Sequence, residues 1–397
     1  MKSYCKSDSL KHLPLKDLNS LGDLLFSFGV MRKVGHEKIN MPISINPKTI
    51  SLDNYENLRI KCKEFHKILL ELVSKFDSLI EFYEEYGSED ELVSLLIRIY
   101  KETRNDISNK KPVCFLIRND FMFDVSKNEF VQIEFNTISV GMFQQSYFTQ
   151  LSLNHFNKVI LNNDLPFILN DNNNHQLEII TKCQNLYKND QTYILFVLMD
   201  EEPNIFDILQ LEKLLILNNK NVLRISLNQI NDNKELYQIK ENKLYVFNKE
   251  ISVVYFRSLY DIRHFSESLI SFWIDIEKSM TILLPDIISY ILGIKLTQLL
   301  LFSDNLKKKY NIISVEDNSF NSLLCSTRHL KSDFKDNIND LVNFLESSNE
   351  KYLLKSYKEG GLGLMLSDEE MISFIKKSNP LNLHQYLIAY KVESPVY

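Results

Sequence analysis

Phe130-Val131-Gln132-Ile133-Glu134-Phe135-Asn136 alternates strictly, which sets Val131, Ile133 and Phe135 on one face of a predicted strand and Gln132, Glu134 and Asn136 on the other. One face is apolar; the other carries a carboxylate and an amide carbonyl two residues apart. Such oxygens suit a hard cation such as Mg²⁺, which takes few protein ligands and leaves its remaining positions to phosphates and water. An antiparallel strand with one solvated face carries the same pattern. The flanking stretches therefore matter: Ile117-Arg118-Asn119-Asp120-Phe121-Met122-Phe123 upstream and Thr137-Ile138-Ser139-Val140-Gly141 downstream.

Outward from this strand, further short apolar runs read as strands: Val113 to Ile117, Tyr193 to Met199, Ser252 to Phe256, Tyr352 to Leu354 and Tyr386 to Ile388. The first hundred residues read as helices, with apolar positions at Leu21, Leu24, Leu25 and Phe28, and at Phe65, Ile68, Leu69, Leu72 and Phe76. Helical and strand patterns alternate, so an α/β or α+β architecture is expected. Asparagine-rich stretches, Leu161 to His175 and Asn228 to Lys234, read as solvated loops because asparagine competes with regular structure through local hydrogen bonds. A helix is expected to start near Asn204, and Trp273 is expected to serve packing.

With 397 residues, 44% of them hydrophobic, the chain can bury a large core in two or more lobes. The formal net charge of −6 argues against general affinity for nucleic acid or anionic membrane. Cys5, Cys62, Cys114, Cys183 and Cys325 are odd in number and lack Cys-x-x-Cys spacing, which points to a reducing compartment and to neither a disulfide framework nor a zinc site. The eight histidines show no metal-binding or Cys-His pairing pattern. Met1 to Leu15 lacks a signal-peptide core, and the apolar region Thr281 to Phe302 is broken by Pro285, Asp286 and Lys295, so a cytoplasmic protein is expected.

The block from Arg118 to Gly141 resembles the signature of eukaryotic-type glutathione synthetase, a family of the ATP-grasp superfamily. Four more segments fall in that family's order: Glu202-Pro203-Asn204-Ile205-Phe206-Asp207; Val254-Tyr255-Phe256-Arg257 with Tyr260 and Arg263; Pro285-Asp286 with Gly293 and Lys295; and Leu354-Lys355 with Glu359-Gly360-Gly361. The resemblance implies an ATP-grasp body with an inserted α/β substrate-binding domain. Residues 1–188 would form the N-terminal part of the body with the metal and substrate strand, 189–290 the substrate-binding domain, and 291–397 the ATP-binding part, C-terminally truncated. Relatives continue past Tyr397 through strands supplying another ATP-contacting acid, a substrate arginine and a lid loop.

The same resemblance implies site residues. Glu134, Asn136 and Glu359 would hold Mg²⁺. Lys295 and Lys355 would hold the ATP phosphates with Glu134, Glu359, Gly360 and Gly361, and Ala389, Tyr390, Lys391 and Val392 would meet the adenine edge. Arg118, Lys295 and Lys355 would serve catalysis. Arg118, Ser139, Val140, Gly141, Glu202, Pro203, Asn204, Arg257 and Tyr260 would contact γ-glutamylcysteine, with forked guanidinium groups pairing bidentately with its carboxylates. Read without the family, Lys295 is an ammonium snorkelling from an apolar stretch, Asn204 a helix N-cap, and Arg263 a surface ion pair. Two departures stand out: Ile208 replaces the family's glutamine, and Leu362, Gly363 and Leu364 replace a third glycine and two asparagines. The implied activity is ligation of γ-glutamylcysteine to glycine by a homodimer using ATP and Mg²⁺. Two alternatives stay open: a degenerate ATP-grasp protein that binds nucleotide or a partner subunit without turnover, and a ligase with another amine acceptor.

Overall fold

The computed structural model describes residues 15–45, 50–107, 112–162, 172–189, 191–233, 235–312, 326–348, 350–357 and 368–393. The N-terminal part is helical as its spacing predicts, with helices at Leu15–Ser27, Leu52–Ser74, Phe76–Gly87 and Glu91–Ile107. Phe65, Ile68, Leu69, Leu72 and Phe76 are all buried. A small antiparallel hairpin of β1 (Met31–Val34) and β2 (Glu37–Asn40) interrupts the helices, its turn made by Gly35 at φ 58°. A two-residue turn with positive φ is the hairpin geometry that matches strand twist.

Next comes a second antiparallel hairpin, β3 (Arg118–Asp124) and β4 (Glu129–Asn136). Strand structure begins only at Arg118, so the predicted strand Val113 to Ile117 is corrected to irregular backbone. The reason lies in pairing: Arg118 faces Asn136, where β4 ends, which leaves residues 113–117 beyond the hairpin. Their apolar side chains pack instead against two separate cores, Phe115 and Ile117 on one and Leu116 in the other.

The central sheet explains the unbroken apolar runs. β5 (Tyr193–Leu198) pairs in parallel with β6 (Asn221–Ser226) on one side and with β9 (Lys249–Phe256) on the other. β9 is flanked further by the short parallel strand β10 (Ile282–Leu284) and by the antiparallel pair β8 (Lys243–Val246) and β7 (Tyr237–Lys240). Parallel strands covered on both faces are apolar throughout. Here successive side chains serve two cores: Leu195, Val197, Val254 and Phe256 enter one, while Ile194, Phe196, Leu198, Val253 and Tyr255 enter the other. Helix Glu267–Lys278 closes the first face, its Trp273 stacked on Phe256 at 4.3 Å. Helices Asn172–Tyr187 and Ile205–Leu217 close the second through Ile180, Cys183, Ile208, Leu211 and Leu215. The fold is α/β.

Asn228 to Lys234, expected to be a loop, is largely the helix Leu227–Asp232. Ser226 and Gln229 form a reciprocal capping box at its start, and buried Leu227 and Ile230 anchor it. The helix Asn172–Tyr187 likewise starts within the other asparagine-rich stretch. A fourth, three-stranded sheet places β13 (Tyr386–Tyr390) between β11 (Thr327–Arg328) and β12 (Tyr352–Ser356), all antiparallel, over a core shared with helices Ile338–Ser347 and Asp368–Lys377. The β3–β4 hairpin spans the cores, since Val131 joins this third core and Phe135 the first. No helix among the described residues is long and apolar enough to cross a membrane.

Candidate functional site

The alternation predicted for β4 is broken once. Asp120 pairs with Glu134 but Phe121 pairs with Gln132, so Ile133 is the extra residue of a β-bulge. Two consequences follow. Gln132 turns inward, 3% exposed, and donates to Asn119 Oδ1 at 2.8 Å. The Ile133 carbonyl points at two side chains, accepting from Gln298 Nε2 at 3.2 Å and from Lys355 Nζ. Bulges recur beside functional sites because they re-aim groups in this way.

Lys355, in β12, also lies 3.5 Å from Glu134 Oε2, joining residues far apart in the chain. Burial pushes the Glu134 carboxyl up, but the positive charges of Lys355 and Lys295 outweigh it and hold the group below the usual carboxylate range. Lys295 is 7% exposed, so its charge acts on Glu134 with little screening by water. Helix Ile287–Gly293 brings Lys295 there. A Cβ on Gly293 would lie 1.9 Å from Thr137 Oγ1, and that hydroxyl donates to Ser289 O at 2.8 Å, which locks the helix against the end of β4.

On the paired strand, Arg118 makes a bidentate contact with Asp120, both hydrogen bonds being 2.8 Å, and Asn136 Nδ2 donates to Asp120 Oδ2 at 3.2 Å. Arg118, Asn136, Glu134, Lys295 and Lys355 therefore share one neighbourhood around the bulge. Glu359, Gly360 and Gly361 lie outside the described residues. Among the described residues no group of three His, Cys, Asp or Glu side chains gathers as a metal site. Glu134 and Asn136 nevertheless supply the hard oxygen donors that Mg²⁺ favours.

Five residues after Asn136 a second cluster begins, at most about 17 Å away along an extended chain. Ser139 and Met142 adopt positive φ, 51° and 72°, and turn the chain into helix Phe143–Val159. Asp207 receives that turn. Its carboxylate accepts from the backbone amides of Met142 at 2.8 Å, Gln144 at 3.2 Å and Gln145 at 3.3 Å, and from Arg257 Nη1 at 2.8 Å. Arg257 follows β9 directly and is 2% exposed. Gly141 is required beside it, because a Cβ there would lie 2.3 Å from Arg257 Nη2. Tyr255 donates to the Val140 carbonyl, and burial pushes its phenol up to about 12.

Glu202 sits beside this cluster at 6% exposure, its carboxyl raised by burial against the opposing pull of Arg257. It accepts from the Asn204 amide at 2.9 Å; Asn204 is the N-cap residue of helix Ile205–Leu217, as read without the family, although its side chain makes no capping bond. The Pro203 carbonyl accepts from Lys33 N at 3.1 Å. Tyr260 lies in contact range of Met199 and lines a cavity of about 590 Å³ with Asp90, Asp261, Arg263 and Gln385. Arg263 is clamped on Asp261, and that contact holds the Asp261 carboxyl down at about 2. It remains 74% exposed, as a surface pair would.

A family model for eukaryotic glutathione synthase matches residues 192–292, the stretch that carries Glu202, Asp207, Arg257 and Tyr260. Glutathione synthetase of Dictyostelium discoideum is 25% identical over 378 residues, covering 89% of this chain and 77% of the relative. The human glutathione synthetase is 26% identical over 312 residues, covering 77% of this chain and 65% of its own length. The chain is thus similar to eukaryotic glutathione synthetases. A glutathione synthetase-like effector from Globodera pallida, solved in its apo form, matches with a TM-score of 0.75 over 99% of this chain and 85% of its own, at 15% identity. At that identity the likeness is one of fold.

The segment expected at the adenine edge is the end of the central strand of its sheet. Ala389 pairs with Leu353 and Thr327, Tyr390 N donates to Ser326 O at 2.8 Å, and Lys391 N donates to Lys351 O at 2.9 Å. Those amides are committed to neighbouring backbone, and only the Val392 end runs beyond the strand. Sequence reasoning missed Asp207, Asp120 and Gln298. The Arg118-x-Asp120 spacing, two residues on one strand face, could have shown the second; the other two depend on contacts across the fold.

Proposed function

We propose that the chain is an ATP- and Mg²⁺-dependent carboxylate–amine ligase that joins γ-glutamylcysteine to glycine through an acyl phosphate. The observation that carries this reading is the meeting of Glu134 with Lys355 at 3.5 Å on the bulged hairpin, under the charge of Lys295. Phosphoryl transfer to a carboxylate is catalysed mainly by positioning and by fixed positive charge. Lys295 and Lys355 supply that charge from separate elements, and the adenine lies toward Ala389, Tyr390, Lys391 and Val392. Glu134 and Asn136, with Glu359 from outside the described residues, hold the metal. Bound Mg²⁺ neutralises the phosphates and orients them for in-line transfer.

The dipeptide lies along Ser139, Val140 and Gly141 with Glu202, Pro203, Asn204, Arg257 and Tyr260. Arg118 serves the reacting carboxylate, and to do so its guanidinium exchanges Asp120 for substrate. Glycine's amine then attacks the acyl carbon of the acyl phosphate, forming the amide bond, expelling inorganic phosphate and giving up a proton, a step that requires water to be kept from the site. The protein acts as a homodimer in the cytoplasm. Purified chain given Mg-ATP, γ-glutamylcysteine and glycine tests the reading: ADP release that needs both amino-acid substrates supports it, and nucleotide binding without dipeptide-dependent release refutes it. Ile208, 1% exposed within the second core where the family carries a glutamine, favours a second reading in which another amine is the acceptor. Release of ADP with the dipeptide and a different amine, but not with glycine, identifies that case.

A further inference from the structure

The turn that carries Ser139, Val140 and Gly141 is held at both ends by groups buried in the fold. Ser139 and Met142 stand at φ 51° and 72°, backbone that residues other than glycine keep only where their surroundings impose it. The Met142 end is fixed by the Asp207 carboxylate, 2.8 Å from its amide. The Ser139 end is fixed through the Val140 carbonyl, which accepts from the Tyr255 hydroxyl. That hydroxyl is engaged in turn by a helix from which no site residue was expected. Gln176, 1% exposed in helix Asn172–Tyr187, donates from Nε2 to the Tyr255 oxygen at 3.2 Å, and its Oε1 accepts from Gln144 Nε2 at 3.1 Å. We propose that Gln176 is a positioning residue for the dipeptide, setting the Tyr255 hydroxyl so that it holds the turn at residues 139–141 in the shape that meets γ-glutamylcysteine.

The direction of each bond follows from what the groups can give. Gln144 spends a donor on Gln176 Oε1, which turns the amide nitrogen of Gln176 toward Tyr255. The phenol oxygen accepts that bond, so its single proton goes to the Val140 carbonyl, which can only accept. Burial pushes the phenol up to about 12, so the proton stays in place at neutral pH. Side chains from two helices and from β9 thus form one chain of hydrogen bonds in a dry interior, where such bonds reinforce one another. Tyr255 also lies under Arg257, whose guanidinium is 5.9 Å from the ring centre, and Gly141 leaves room for that guanidinium beside the turn. Any movement of the turn is movement against Arg257, and both face the dipeptide in the proposed reaction.

The inference rests on the proposed dipeptide site, and its test separates the two. Steady-state kinetics, and hydrogen exchange of the unliganded full-length protein read by mass spectrometry over a peptide containing residues 139–142, are compared for wild type, Gln176→Met, Tyr255→Phe, their double variant and Gln184→Met. Methionine keeps the length of the side chain and so the packing. Gln184 is the control, since it lies about two turns further along the same helix, is 0% exposed, and donates to Thr192 O at 3.3 Å. Gln176→Met and Tyr255→Phe should each raise KM for γ-glutamylcysteine about tenfold, roughly the worth of one buried hydrogen bond, with kcat and KM for ATP within about twofold. Exchange at the turn should quicken in both. Gln184→Met should do neither. Because Gln176 acts through Tyr255, the double variant should match Tyr255→Phe alone. An unchanged KM in Gln176→Met, a rise of the same size in Gln184→Met, or additive effects in the double variant overturns the proposal. If the wild-type chain turns nothing over, the proposed reaction has failed and exchange decides alone: quickening in Gln176→Met but not in Gln184→Met supports the hold on the turn, and exchange equal to wild type overturns it.

Discussion

Replacing Asp207 with alanine is expected to destabilise the protein through two losses at one point. The carboxylate is 1% exposed and pairs with an arginine that is 2% exposed. Removing one partner of a buried pair leaves the other charge without compensation, which costs about 3–5 kcal/mol. The amides of Met142, Gln144 and Gln145 lose their acceptor as well, and a buried unsatisfied amide adds about 1–3 kcal/mol. Taking about 4 kcal/mol as a floor, and an unfolding entropy of about 2.1 cal/mol/K per residue over the 397-residue chain, Tm should fall by about 5 °C or more.

Differential scanning calorimetry of Asp207→Ala, Arg257→Met and the double variant resolves the two losses. With both charges gone, the double variant should recover about 2 kcal/mol relative to Asp207→Ala, because an apolar pair of similar volume tolerates the site. It should stay below wild type, since the helix amides still lack their acceptor. A fall of less than about 1 °C for Asp207→Ala, or a double variant no better than the single, would refute the view that this ion pair orders the turn from β4 into the following helix.

Glu134→Ala should reduce dipeptide-dependent ADP release by at least about 100-fold and should also lower Tm, because the carboxylate is only a quarter exposed and its removal takes away the acid that faces Lys355; undiminished turnover rules out the metal assignment. Gly293→Ala should cost about 1–3 kcal/mol by overpacking Thr137, and Thr137→Ala in the same chain should restore part of the lost Tm. His329 is wholly buried and its Nε2 donates to His384 O at 2.9 Å, and burial lowers it to about 4. Its folded value lies below the unfolded one of about 6.5, so the unfolded state binds the extra proton. Stability should therefore begin to fall near pH 6.5 and go on falling to about pH 4, by about 3 kcal/mol from this group. Denaturant unfolding of wild type and His329→Gln across that range should show a shallower decline in the variant.

Much of this architecture was readable because it rests on local pattern. The runs Tyr193 to Met199 and Ser252 to Phe256 are apolar at every step, which marks parallel strands covered on both faces, and both are strands of the central sheet. The helical stripe from Phe65 to Phe76 lies in the core as its spacing required. What failed was of another kind. Val113 to Ile117 has strand composition, but nothing in a sequence reveals that its partner ends at Asn136. Asn228 to Lys234 has loop composition, and the capping box at Ser226 and Gln229 overrode it. In the candidate site, Glu134 and Lys355 were found one by one, whereas Asp207 was quoted only as part of a stretch, since its four hydrogen bonds come from residues 50 to 65 positions away.

The bulge at Ile133 explains why one lysine can serve two purposes in the proposed reaction. Strict alternation would return the Ile133 carbonyl to the ladder with β3, and Lys355 would meet Glu134 alone. With Ile133 as the extra residue, the ammonium is held by a carboxylate and a carbonyl together, and Gln298 shares the carbonyl. A cation that takes Glu134 removes the stronger of these two attractions, and the phosphates it brings offer the ammonium a better one. In the proposed reaction the carbonyl would remain as a tether while Lys355, on β12, turned toward the nucleotide. Glu134 and the two lysines carry one positive charge in excess among them, a surplus that the phosphates of a nucleotide would offset in the proposed reaction.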